Sequence, residues 1–150
     1  MKMNHDDMMG SKWTMFIGMF LIQYVFMSFI MSNHIDNITN SVGKIYMSTM
    51  MGLFMIVFGI VLETSINWNQ LFLFIGLLLM VIFLYKIQLG VNDKNYLLEM
   101  IEHHSMALLT SKQILQKTNN SAVADIAQRI VHTQEREIQD MRNIIGMIHK

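Results

Sequence analysis

Thr14–Met31 reads TMFIGMFLIQYVFMSFIM, and the stretch without Asp, Glu, Lys or Arg extends around it from Trp13 to Ile35. A helix needs about 20 mostly apolar residues to cross the hydrocarbon core of a bilayer. The stretch therefore predicts a first transmembrane span over 14–31. A cleavable signal would have a shorter apolar region and a small-residue cleavage site. Asp6 and Asp7 precede this one, so an anchor that stays in the chain is expected.

Two further uncharged runs follow. One is Ile45–Leu62, between Lys44 and Glu63, and the other is Leu71–Tyr85, closed by Lys86. Both read as spans, over 45–62 and 71–85, so residues 13–89 form a three-span region. Trp13, Tyr46, Trp68 and Tyr85 fall near the ends of the runs, where amphipathic rings favour the headgroup layer. Gly18, Gly52, Gly59 and Gly76 lie inside them, where small residues let helices approach closely. Three crossings put the segments before and after this region on opposite sides of the membrane. Lys2 and Lys12 flank one side, and Lys44, Lys86 and Lys94 the other. That difference leaves the absolute orientation open, and the sequence does not name the host membrane.

Composition agrees with lipid as a solvent. Of 150 residues, 53% are hydrophobic and 15% charged, with a mean hydropathy of +0.36. A soluble domain needs more charge than this to cover its surface. Lys plus Arg and Asp plus Glu both number 11, so no net field draws nucleic acid. With no cysteine, a metal site must use His, Met or oxygen ligands. The 17 methionines have two readings. One is a coding bias in which Met serves as flexible apolar filler. The other is a supply of thioethers for soft Cu(I).

After Asn92 the pattern turns to mixed polar and apolar residues at helical spacing, broken once by Thr118-Asn119-Asn120-Ser121, a cluster of turn and N-cap residues. Residues 92–150 thus predict a helical hairpin. In its second helix Val123, Ile126, Ala127, Ile130, Val131, Gln134, Ile138, Met141, Ile144, Ile145 and Ile148 recur at helical spacing and predict one buried face. Antiparallel pairing would set Met100 opposite 139–141, and His103 and His104 opposite 134–137.

The residues best suited to chemistry are Met100-Ile101-Glu102-His103-His104-Ser105-Met106, two imidazoles beside thioethers and a carboxylate. At about 100° per residue Leu97, Ile101, His104, Leu108 and Leu115 share one stripe, with Met100, His103 and Ala107 on its flank. His104 should therefore face the partner helix, which offers Gln134, Glu137 and Met141. Two readings follow: a buried histidine hydrogen-bonded to Gln134 or Glu137 that fixes the hairpin's register, or a metal site. His132 reads as a solvated or capping histidine, and terminal His149 adds nothing. The leader, residues 1–12, carries Met1, Met3, His5, Met8 and Met9, which suit either a copper-capturing arm or an unstructured terminus. His34 with Met47, Met50, Met51 and Met55 could line a soft-ion path or simply pack.

Glu99 and His103 stand four apart, but no Glu-x-x-His occurs for a di-iron bundle. His-Glu-x-x-His, a Gly-rich phosphate loop and Gly-x-Ser-x-Gly are also missing. No catalytic or cofactor-binding residues are assigned, and an enzyme is not expected.

Tyr96–Ser111, YLLEMIEHHSMALLTS, and Thr133–Met141, TQEREIQDM, resemble the domain of unknown function 305 family. The likeness extends through leader and spans to a membrane-bound subgroup of it. The resemblance implies an all-α, ferritin-like two-helix antiparallel hairpin after the three spans. It also implies copper bound through Met100, His103, His104 and Met141, with Gln134 and Glu137 as further ligands or as partners that orient them. Family members often carry proline before the paired histidines, where this chain has Glu102. Glutamate lets the helix run unbroken from about Asp93 through the pair. The expected function is a multi-pass membrane protein that buffers or delivers copper, as Cu(I). Its expected partners are the lipid bilayer, further copies of itself, and a protein that donates or accepts metal. The alternative is a metal-free assembly protein whose hairpin docks a partner or oligomerises. A transporter would require a homo-oligomer to enclose a path.

Overall fold

The computed structural model describes residues 5–148, with side chains from Gly10 onward. Among these residues the fold is all-helical: three apolar helices followed by two more. The first helical run comprises α1 (His5–Leu21), a π turn (Ile22–Met27) and α2 (Ser28–Met31). Then come α3 (Val42–Val61), α4 (Trp68–Lys86), α5 (Asp93–Leu115) and α6 (Ser121–Ile148). Gly10–Met31, Val42–Val61 and Trp68–Lys86 are each long and apolar enough to cross a membrane. The π turn, which the sequence reading did not anticipate, widens the first of these in the middle of an apolar run.

The chain divides into two compact units. One holds the residues up to Phe26 together with Gly43–Gly90. Its core is Leu53, Ile56 and Ile60 from α3 against Leu71 and Phe74 from α4, with Phe16 of α1 packed on it. Most of the large apolar side chains point outward instead: Leu62, Phe72 and Phe83 are 68%, 66% and 60% exposed. So large an apolar surface would be a liability in water. Gly52 is the close-approach point between α1 and α3, since a Cβ there would stand 2.6 Å from the Phe16 ring. Gly59 meets Met15 in the same way, at 3.0 Å. Gly18 and Gly76 have no neighbour within 4 Å, so within this chain only two of the four span glycines mark a packing contact. Lys12 is buried, and its ammonium reaches Glu63 Oε1 at 3.1 Å and Gln70 Oε1 at 2.6 Å. A charge withdrawn from water is stable only with such partners.

The second unit holds Met27–Val42 with the residues from Val91 onward. α5 and α6 pack antiparallel around Ile101, Leu108, Ile138 and Met141, flanked by Leu97, Met100, Val131 and Ile145. Asn92 caps α5 by accepting the Asn95 N–H at 2.9 Å. α5 runs without interruption through Glu102 to Leu115, the outcome expected from glutamate in place of proline. Asn120 caps α6 by accepting the N–H groups of Ala122 and Val123. The polar turn was legible as a whole, and the cap falls on Asn120 while Ser121 opens the helix.

Candidate functional site

α5 and α6 form an open groove of about 440 Å³ lined by Met100, His104, Gln134, Glu137 and Met141, together with Tyr96, Leu97, Asp140 and Ile144. Helical spacing explains the composition. Leu97, Met100 and His104 sit three and four apart on α5, as do Gln134, Glu137 and Met141 on α6, so each set shares one face.

The two adjacent histidines part company. His104 turns inward, its side chain 24% exposed, while His103 points outward at 55%. A step of about 100° around the helix separates their directions. His103 Nε2 stands 3.8 Å from Glu99 Oε1, one turn back on α5, and does not line the groove. Of the residues that the sequence reading grouped as a site, the structure brings together Met100, His104, Gln134, Glu137 and Met141 and leaves His103 out.

His104 Nδ1 is the most informative atom in the groove. It is buried and lies 3.2 Å from Glu137 Oε2, yet it makes no hydrogen bond there or elsewhere. The approach is an ion-pair distance without hydrogen-bond alignment. Gln134 Nε2 donates to the same Glu137 Oε2 at 3.3 Å and so steadies the carboxylate. A buried imidazole nitrogen without a hydrogen bond is an exception that calls for a physical reason. The donor set around it is one imidazole, a carboxylate and two thioethers. Among the described residues no three His, Asp or Glu side chains group together, so any polydentate site here draws on the sulfurs.

The remaining sequence candidates separate. The leader positions Met1, Met3, His5, Met8 and Met9 lie outside the described residues, apart from the helical backbone of the last three. His34 is exposed and accepts the Asp36 N–H at Nδ1, 3.4 Å away. Met47 and Met51 point outward from α3, as a lipid-facing filler would. His132 is exposed.

Behind the groove runs a polar network that the sequence reading did not single out. Ser105, fully buried, accepts the Asn33 N–H at 2.9 Å and the Asn37 side-chain amide at 3.1 Å. A hydroxyl has two acceptor lone pairs, so Ser105 O–H must be the donor to Ser32 Oγ at 2.8 Å, and Ser32 in turn donates to His34 O at 2.9 Å. Thr39 donates its N–H to Glu102 Oε2 at 3.1 Å and its hydroxyl to Leu98 O at 2.7 Å. Glu102 thereby ties the loop 32–41 to α5 at Thr39. The only signal in the sequence was a run of Ser, Asn and Thr between two spans.

The family described as "Domain of unknown function (DUF305)" matches residues 83–145. "Uncharacterized protein L153" of Acanthamoeba polyphaga mimivirus is 31% identical over 134 residues, spanning 87% of this chain and 88% of that protein. No solved structure matches.

Proposed function

The chain belongs to the domain of unknown function 305 family, and from that premise we propose that it is a multi-pass membrane protein that binds copper as Cu(I). The cargo would be held by His104 Nδ1 and the thioethers of Met100 and Met141, with Glu137 closing the set and Gln134 orienting it. The observation that carries this reading is the buried His104 Nδ1, without a hydrogen bond, in a groove shared by two methionines. Thioether and imidazole suit a soft monovalent ion, and an open groove lets ligands exchange, as buffering or delivery requires. His103 then belongs to the family motif without being a ligand at this groove.

Chain order supports three crossings. Lys12 pairs with Glu63 and Gln70, and the loop 32–41 bonds to α5. Each pairing joins segments separated by two of the apolar helices, and two crossings bring the chain back to the same side of the membrane. The two termini fall on opposite sides. We read the hairpin as ferritin-like, two helices of a bundle whose remaining face awaits cover.

That face favours a second reading, assembly. Thr110, Ser111, Ile114, Val123, Ile126, Ala127 and Ile130 line an apolar groove at the turn end of the hairpin. A further copy of the chain would bury it. The two readings are compatible, because they use opposite ends of the same helices.

The test is a Cu(I) titration of the detergent-purified protein against a competing chelator. His104→Ala should abolish tight binding, whereas His103→Ala should leave it in place. Equal affinity in wild type and His104→Ala would remove the groove as the site.

A further inference from the structure

The two candidate ligands on opposite walls of the groove, His104 and Met141, are each followed in sequence by a residue that bonds to one side chain, Asn37. Asn37 Nδ2 donates to Ser105 Oγ at 3.1 Å, and Arg142 Nη2 donates to Asn37 Oδ1 at 2.7 Å. Asn37 is buried and Ser105 is sealed from solvent. Its planar amide thus spans from α5 to α6 directly behind the groove, using its donor on one helix and its acceptor on the other.

We propose that Asn37 is a positioning residue: it sets the separation of the two groove walls and thereby holds His104 at a fixed distance from Met141. The metal part of this inference rests on the function proposed above, and the wall separation does not. Three observations carry it. A carboxamide holds a donor and an acceptor in one rigid plane, so it can serve both helices at once. Both of its partners are held elsewhere as well, Ser105 by Asn33 and Ser32, and Arg142 by the Asp36 carbonyl at 3.1 Å. The brace therefore fixes α5 and α6 to a common frame and does more than tie one to the other. Finally, the adjoining helix residues are rigidly related to the groove, because neighbours on a helix cannot move independently of its backbone.

Asn37 belongs to the loop 32–41, whose ends are Met31 of α2 and Val42 of α3.

The chain has no cysteine, so spin labels can be placed cleanly at Asp93→Cys on α5 and Met147→Cys on α6, both at exposed positions. Pulsed dipolar spectroscopy then reads the wall separation in the full-length protein in detergent. Asn37→Ala should broaden that distance distribution and weaken Cu(I) binding about tenfold, the scale on which partners that orient ligands act. It should also lower the sulfur count seen by copper X-ray absorption, which a purely structural role would not change. Asn37→Asp keeps the acceptor for Arg142 and loses the donor to Ser105, so it should fall between wild type and alanine; it also serves if the alanine variant does not fold. An unchanged distance distribution in both variants overturns the inference. So does wild-type Cu(I) affinity in an Asn37→Ala protein whose walls have loosened. If wild type itself binds no Cu(I), the proposed function fails, and the distance measurement still decides the brace.

Discussion

The two ends of the hairpin are built from the same pair of helices and share one continuous core, yet they present opposite chemistry. At the end where the chain enters from α4, the groove offers imidazole, carboxylate, amide and two thioethers. At the turn end it offers Ile114, Val123, Ile126, Ala127 and Ile130, with little polar relief. The helix geometry is common to both, so the difference lies in which residues occupy the facing positions. It teaches that one pair of helices can carry a polar, thioether-lined groove at one end and an apolar groove at the other without any change in helix geometry. Only the first end has the loop 32–41 braced behind it.

The largest expected effect is the removal of a ligand. His104→Ala or Met141→Ala should weaken Cu(I) binding by more than about 100-fold, since even partners that merely orient ligands are worth 10–100-fold. Ile126→Ala at the turn end should leave that affinity unchanged, and a matching loss there would erase the contrast between the ends. Chelator competition reads both.

Next is the brace. Ser105→Ala strands the Asn33 N–H and one Asn37 amide proton in a buried site, and each unsatisfied donor costs about 1–3 kcal/mol. The second unit should lose about 2–3 kcal/mol, seen as lost hydrogen-exchange protection in α5, with α3 unaffected. Ser105→Thr, which keeps the hydroxyl, should retain more of it.

Smaller again is a change in the other unit. Gly52→Val drives a side chain into the Phe16 ring, and overpacking of this kind costs about 1–2 kcal/mol where the ring can turn. Thermal melts in detergent should shift while Cu(I) affinity holds. Smallest is His103→Ala. With its side chain half in solvent and Glu99 3.8 Å away, it should change Cu(I) affinity by less than about twofold, a change no larger than an exposed ion pair is worth.

Much of this was legible in the sequence. The three apolar helices follow from uncharged runs of bilayer length, a signal that needs no knowledge of contacts. The inward turn of His104 followed from its place on the Leu97, Ile101, Leu108 stripe, and its facing partners from antiparallel pairing across a polar turn. Periodicity also set His103 on the flank of that stripe, and it was the family resemblance that kept both histidines together as candidate ligands, although a step of about 100° turns His103 out of the groove. Asp140 and Tyr96 escaped notice because they reach the groove from its rim. The brace was invisible for a stronger reason: Asn37 is 68 residues from Ser105 and 105 from Arg142, and no local rule links a loop between spans to the back of a distant groove.

The central claim is that thioethers from two helices and one imidazole converge on a single ion. Copper K-edge X-ray absorption of the Cu(I)-loaded, full-length protein tests it most directly. The account predicts a first shell with sulfur from both Met100 and Met141 beside nitrogen, with the sulfur signal falling in Met100→Leu and again in Met141→Leu. A shell of nitrogen and oxygen alone, unchanged by either substitution, would contradict it.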